Sequence, residues 1–238
     1  MKRLMFAVVG LAMLLALAVP YGAEAQPVSE VKKLTASDAE DNDNFGRSAA
    51  ISGDTAVVGA QYEDGAGTAR GAAYVFGRDY LGADNWGEVK KLTASDPWNW
   101  DLFGNSVAIS GDTAVVGAYS EGGAGFNRGA AYVFERDYLG ADNWGERKKL
   151  TASDAENSDV FGYSVAISGD TAVAGAAYEN GAGSYRGASY VFERDYLGAD
   201  NWGERKKLTA SDPENDDYFG NSAAISGDTA VVGAVKGE

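Results

Sequence analysis

From Phe103 onward, short apolar runs alternate with polar, glycine-bearing breaks. FGNSVAIS (103–110) closes on Gly111-Asp112, a two-residue hairpin turn of the Gly-X kind, and TAVVGA (113–118) returns from it. A polar, glycine-rich loop (119–128) leads to GAAYVFE (129–135), whose alternation puts Tyr132 and Phe134 on one face and Val133 on the other. A second loop (136–145) leads to ERKKLTAS (146–153), which is more polar, as suits an outer edge. The pattern predicts four short antiparallel strands with no helical period between them.

The same pattern recurs. Phe45-Gly46, Phe103-Gly104, Phe161-Gly162 and Phe219-Gly220 stand 58 residues apart, and the stretch from Tyr132 to Asp154 is repeated letter for letter from Tyr190 to Asp212. A fixed period of this size means an array of one supersecondary unit. The predicted fold is all-β: a β-propeller of four-stranded antiparallel blades. Its units are residues 45–102, 103–160 and 161–218, with a partial one at 219–238 and an N-terminal outer strand at 31–37. Blades stacked face to face bury both sides of their inner strands, which explains the nearly continuous apolar runs VVGA and SVAIS. A β-solenoid ranks behind, since its coils are shorter and need no tight hairpin turn. Propellers of this type close when the N-terminal strand completes the last blade. Here the partial unit lacks the third strand, so residues 31–37 would run parallel to its second strand and break the meander. The expectation is an incompletely closed ring: a truncated product, a fragment of a longer propeller, or a piece that assembles with another copy through open blade edges.

The N-terminus reads differently. Lys2 and Arg3 precede an apolar run (6–19), Pro20 breaks it, and Ala23-Glu24-Ala25 offers small residues to a signal peptidase. Residues 1–25 are expected to be a signal peptide cut before Gln26, leaving residues 26–238 as the propeller, secreted or at the cell surface. A retained anchor is the alternative. The net charge of the whole chain is −15; losing two cations and one anion with residues 1–25 makes it −16. Such a surface repels nucleic acid and anionic lipid, so neither is an expected partner, and no membrane insertion is expected after signal cleavage. The chain has no cysteine and no histidine. That excludes disulfides, Ser-His and Cys-His catalysis, and histidine metal sites.

The sequences FGRSAAISGDTAVVGA (45–60), FGNSVAISGDTAVVGA (103–118), FGYSVAISGDTAVAGA (161–176) and FGNSAAISGDTAVVGA (219–234) resemble FG-GAP repeats. These are the blades of the integrin α-subunit propeller and of many bacterial exported proteins. GAAYVF and KKLTAS are similar to the bacterial branch. Two features depart from the family: Gln61, Tyr119, Ala177 and Val235 stand where it has proline, and Ser-Gly-Asp-Thr stands where integrin-type blades carry a calcium loop. One carboxylate in a tight turn is far from the roughly six to eight oxygens that calcium takes.

Acidic residues cluster instead before each Phe-Gly. Calcium-ligand candidates there are Asp38, Glu40 and Asp43; Asp154, Glu156 and Asp159; and Asp212, Glu214 and Asp216. Alternating carboxylate and amide oxygens can hold calcium, and equally can serve turn geometry in a solvated loop. Strand alternation puts these loops on one rim with the loops between second and third strands. The resemblance makes this the ligand-facing side. Its candidate ligand-binding residues are Tyr62, Glu63, Asp64, Trp98, Trp100, Tyr119, Glu121, Tyr178 and Glu179, suited to a sugar or a basic protein surface, with packing over strand ends as the plain alternative for the tyrosines. Trp86, Trp144 and Trp202 fall on the opposite rim as packing residues. The pairs Lys32-Lys33, Lys90-Lys91, Lys148-Lys149 and Lys206-Lys207 are expected to discourage edge-to-edge association.

The expected function is a protein- or carbohydrate-binding, adhesion-type module without catalysis, possible calcium being its one cofactor. An architectural repeat of a larger exported protein is the alternative. An extracellular hydrolase or lyase built on paired carboxylates ranks behind, because an active site breaks a repeat and no unit carries its own acid, base or nucleophile set.

Overall fold

The computed structural model describes residues 30–80, 82–123 and 125–235. The expected signal peptide, with its cleavage point, lies outside the described residues. Fourteen strands, and no helix, occur among them. β1 (Phe45–Ser52), β2 (Thr55–Ala60), β3 (Ala72–Gly77) and β4 (Gly87–Leu92) form one sheet. β5 (Ser106–Ser110), β6 (Thr113–Ala118), β7 (Ala130–Glu135) and β8 (Gly145–Leu150) form a second. β9 (Phe161–Ser168), β10 (Thr171–Ala176), β11 (Ala188–Glu193) and β12 (Gly203–Leu208) form a third, and β13 (Ser222–Ser226) pairs with β14 (Thr229–Gly233). All pairings are antiparallel and in chain order, so each period is the expected meander. All the sheets lie within the unit Leu34–Glu238.

Successive sheets stack first strand on first strand, β1 with β5, β5 with β9, β9 with β13. Val133 and Val115 face a core shared with Phe161, Val165 and Ile167, while Tyr132, Phe134 and Val116 face one shared with Val57 and Val75. The inner strands are therefore buried on both faces, which is why they read as unbroken apolar runs.

The Phe-Gly pair makes the junction. Phe103 bridges in parallel to Gly71 at the entrance to β3, as Phe161 does to Gly129 and Phe219 to Gly187. Gly104 has φ +86°, and a Cβ there would collide with the Ala72 carbonyl of the preceding sheet. The ring of Phe103 meets Tyr132 and Phe134 edge-on at 5.5 and 5.9 Å. Phenylalanine thus anchors its own sheet while the next residue lets two backbones touch.

Two element predictions need correction. The fourth strand stops at Leu150, because Ser153 leaves the ladder to bind Glu204 of the next sheet through both its N–H (2.8 Å) and its hydroxyl (2.9 Å). Residues 31–37 form no strand. A strand needs a partner ladder, and β4, β8 and β12 each find theirs in the third strand of their own sheet, which the described last sheet does not contain. Leu34 and Ala36 pack instead on Tyr74 and Phe76 of the first sheet.

Candidate functional site

The loops preceding each Phe-Gly and the loops between second and third strands do share a rim. Trp100 N–H donates to the Thr68 carbonyl (2.9 Å), Ser158 to Phe126 (2.9 Å) and Asp216 to Ser184 (2.9 Å). Asn99 accepts from Thr68 N–H (3.1 Å), and Asn157 and Asn215 repeat this with Phe126 and Ser184. The acidic loops at 96–101, 154–159 and 212–217 are each zipped to the glycine-rich loop of the same unit.

Under this zipper a four-residue station recurs. Tyr132 donates its hydroxyl to Asp96 Oδ1 (2.8 Å); Lys149 Nζ bridges Asp96 Oδ2 (2.7 Å) and Glu121 Oε1 (3.1 Å). Tyr74, Asp38, Lys91 and Glu63 repeat it, as do Tyr190, Asp154, Lys207 and Glu179. Each glutamate also accepts the N–H two residues on, from Gly65, Gly123 or Gly181. Burial acts to raise Asp96, but hydrogen bonds from Lys149 and Tyr132 outweigh it and hold the carboxyl below its ordinary range; the same holds for Asp38 and Asp154. Burial would depress Lys149, and hydrogen bonding to Asp96 and charge from Glu121 reverse that. Burial, then the bond to Asp96, drives the Tyr132 phenol far up.

A second carboxylate recurs deeper. Asp101 Oδ2 accepts Trp98 N–H (2.6 Å) and Asp159 accepts Glu156 N–H (2.6 Å); Asp43 and Asp217 do likewise for Glu40 and Glu214. Asp101 and Asp159 are 2% and 1% exposed. Burial lifts both from 3.8 to about 6, and Asp159 Oδ1 has no hydrogen-bond partner among the described residues.

These contacts give several of the sequence candidates partners within the chain. Glu63, Glu121 and Glu179 are buried in the stations, so they face a lysine rather than a ligand. Among the described residues no three acidic side chains converge to hold a metal. Of the calcium candidates, Asp38 and Asp154 already hold an ammonium and a phenol, and Asp43 and Asp159 turn inward to cap their own loops. Glu40, Glu156 and Glu214 use backbone N–H groups in those caps, while exposed Asp212 has Ser211 at 3.5 Å and Asp216 serves the zipper through its N–H. At the family's usual calcium turn, Asp54, Asp112 and Asp170 each face an arginine at 2.7 to 3.1 Å. At Asp38, Asp154, Asp54, Asp112 and Asp170 a lysine or arginine of the chain already supplies the cation. Lys91, Lys149 and Lys207 are thus internal ion-pair partners, and Lys90 and Lys148 bond Asn143 and Asn201 (3.2 Å).

What remains open on the rim is aromatic. Trp98 and Trp100 are 72% and 59% exposed and, with Phe126, line a cavity of about 390 Å³ floored by Asn99, Asp101 and Asn127. Trp100 also borders a second cavity of about 370 Å³ with Tyr62, Asp64 and Asp43. Asp64 itself is tied to Ala69 N–H (2.8 Å). Further along, Tyr119 meets Tyr163 at 5.5 Å, Tyr163 meets Tyr178 at 6.4 Å, and Tyr178 meets Tyr185 and Tyr218 at 5.5 and 5.2 Å. Phe126, Tyr163 and Tyr185 are rim aromatics that the sequence candidates omit. A signal is present in the repeat: one period away stand Thr68 and Ser184 for Phe126, Asn105 and Asn221 for Tyr163, and Asn127 for Tyr185, while Val160 stands one period and Leu102 two periods before Tyr218. On the opposite rim Trp144 and Trp202 are buried beneath Arg136 and Arg194, at 5.3 and 5.1 Å from the guanidinium carbon, while Trp86 is half-buried under Arg78.

Antiparallel four-stranded sheets, stacked in chain order through a Phe-Gly backbone contact, define a repeat protein of the propeller type. Residues 28–76, 86–134, 144–192 and 202–238 match the FG-GAP repeat model, and the chain belongs to that family. No curated protein matches it. Among solved structures it is similar to the computationally designed Ika4 protein, with TM-score 0.50 and 12% identity over 87% of this chain and 94% of that one; the likeness is one of fold. The designed Ika8 protein (TM-score 0.44, 13% identity, 80% of this chain, 42% of that) and a europium-containing methanol dehydrogenase (TM-score 0.43, 9% identity, 68% and 24%) are more distant.

Proposed function

We propose that this chain is an exported recognition module, secreted or held at the cell surface, that binds ligand on the rim carrying Trp98, Trp100 and Phe126 and performs no catalysis. Trp100 carries the reading. Its φ is +69°, a left-handed conformation that short polar side chains adopt readily and bulky ones do not. Asn42, Ser158 and Asp216 occupy the same position, also at positive φ, in the other units. Neither backbone preference nor burial accounts for tryptophan there, so a cost of the order of 1 kcal/mol is borne for the exposed ring. Exposed aromatic faces beside the amides of Asn99 and Asn127 suit the C–H faces and hydroxyls of a neutral saccharide, which is the favoured ligand class. A protein surface is the second reading, favoured by the adjoining tyrosine cluster, since interfaces are rich in tyrosine. Asp101 has the raised pKa of a catalytic acid, but Asp159 shares it in another unit, and this repetition favours a structural role.

The test is a glycan array followed by calorimetry on the strongest hit. Trp98→Ala and Trp100→Ala should each weaken binding at least tenfold with unchanged melting. Full binding by the double variant would remove the rim from consideration.

A further inference from the structure

The interior junctions repeat one set of contacts. Ser48, Ser106 and Ser164 donate their hydroxyls to the carbonyls of Gly104, Gly162 and Gly220 in the following sheet (2.8 to 2.9 Å). Ser52, Ser110 and Ser168 accept the N–H of Gly111, Gly169 and Gly227 (3.0 Å). Between these polar ends Ile109 and Ile167 bury themselves against the preceding sheet, each 8% exposed.

Among the described residues both halves of this junction also stand uncovered. On β1, Ile51 is 65% exposed, and a Cβ on Gly46 would meet nothing within 4 Å. On the last sheet Ser222, Ala224 and Ser226 are exposed, and Val231 is 67% exposed where Val57, Val115 and Val173 are fully buried. The element that covers this face inside the molecule is always a Phe-Gly first strand. Among the described residues β1 is the one such strand not seated on a preceding sheet, and it differs from the FGNSAAIS segment of the last unit by a single letter, Arg47 for Asn221.

We propose that β1 of one copy docks head to tail on β13 and β14 of a second copy, in the register of the interior junctions. Ser222 of the second copy then donates to the first copy's Gly46 carbonyl, its Ser226 accepts the first copy's Gly53 N–H, and the first copy's Ile51 covers Ala224 and Val231. The described last sheet offers two strands where interior sheets offer four, so the contact lacks the Gly71-to-Phe103 type of bridge and is reversible. The surface is heterologous: each molecule keeps one free head and one free tail, which closes a ring or extends a chain of copies.

Sedimentation velocity on the full chain tests this. Average mass should rise with concentration over the micromolar range. Ile51→Glu and Val231→Glu, both at exposed positions, should each hold the mass near that of one copy. An equimolar mixture of the two variants retains one intact head and one intact tail, and should recover pairs but nothing larger. Gly233→Ala provides a second line: its Cβ meets only Ser222 within the molecule, yet would strike the Gly46 carbonyl of the copy whose β1 docks there, so association should fall while melting stays close to wild type. A mass that is independent of concentration, that is equal for wild type and both glutamate variants, or that fails to recover in the mixture would overturn the proposal.

Discussion

Ser48 of the first sheet hands its hydroxyl hydrogen to the Gly104 carbonyl of the second, 2.9 Å away, and the same carbonyl occupies the space that a side chain on Gly59 would need. The Phe-Gly and Val-Gly-Ala sequences are therefore two sides of one contact. Neither glycine can be judged from its own strand alone.

Gly117 stands in the same relation to Gly162, while Gly233 has only the Ser222 side chain nearby. Gly117→Ala is expected to cost about 2 to 3 kcal/mol, since a methyl forced against backbone strains a packed interior. Gly233→Ala should cost well under half of that. Urea denaturation of both variants checks the contrast, and equal losses would contradict it.

Removing one charge from a station should hurt more than removing one hydrogen bond. Lys149→Met leaves Glu121 buried without its cation and should destabilise by about 3 kcal/mol. Tyr132→Phe deletes a single hydroxyl-to-carboxylate bond and should cost about 1 to 2 kcal/mol. Denaturant midpoints that rank the two variants the other way would remove the ion pair from its structural role.

Stability should depend on pH with a maximum on the acid side. Asp101 and Asp159 titrate near 6 in the folded state against 3.8 unfolded, so the folded chain holds extra protons between those values. Stability therefore falls as pH rises from about 4 to about 6. Asp38, Asp96 and Asp154 are shifted downward, and their contribution, present above 3.8, is lost as pH falls through their folded values. Thermal melting should peak near pH 4 to 5. Asp101→Asn with Asp159→Asn keeps the loop acceptor and should flatten the decline toward neutrality; a profile unchanged by the pair would refute the assignment.

Trp100→Asn copies the residue found at position 42. The left-handed backbone there suits asparagine, so melting should rise slightly, by up to about 1 kcal/mol in stability, while ligand binding is lost. Calorimetry paired with a melt reads both. A variant that is less stable than wild type would mean that the indole serves packing.

Much of the fold was legible because its information is local. Two-residue turns, apolar runs and an unbroken 58-residue period give strand number, direction and order without any distant contact. The stations were not legible: Tyr132 meets a carboxylate 36 positions earlier, and Lys149 meets one 28 positions earlier, separations that carry no spacing signal. Loop glutamates beside tyrosines therefore read as ligand contacts in the sequence, although Glu121 turns inward to Gly123 and Lys149. The end of β8 is hidden for a related reason, since Thr151 to Ser153 keep strand-like composition while Ser153 bonds forward to the next unit. Trp98 and Trp100 could be picked out because they break the repeat; Phe126 and Tyr185 break it too, but in loops whose glycines and polar residues masked them.

Because Ser95 and Ser153 each reach forward to a glutamate in the following sheet, every module is finished by the one before it rather than by itself. A genetic event that inserts or excises one in-phase period would rejoin these same partners at the seam. The number of periods can then change in whole steps with every seam contact kept, whereas a frame-preserving change of any other length would leave two mismatched halves facing each other.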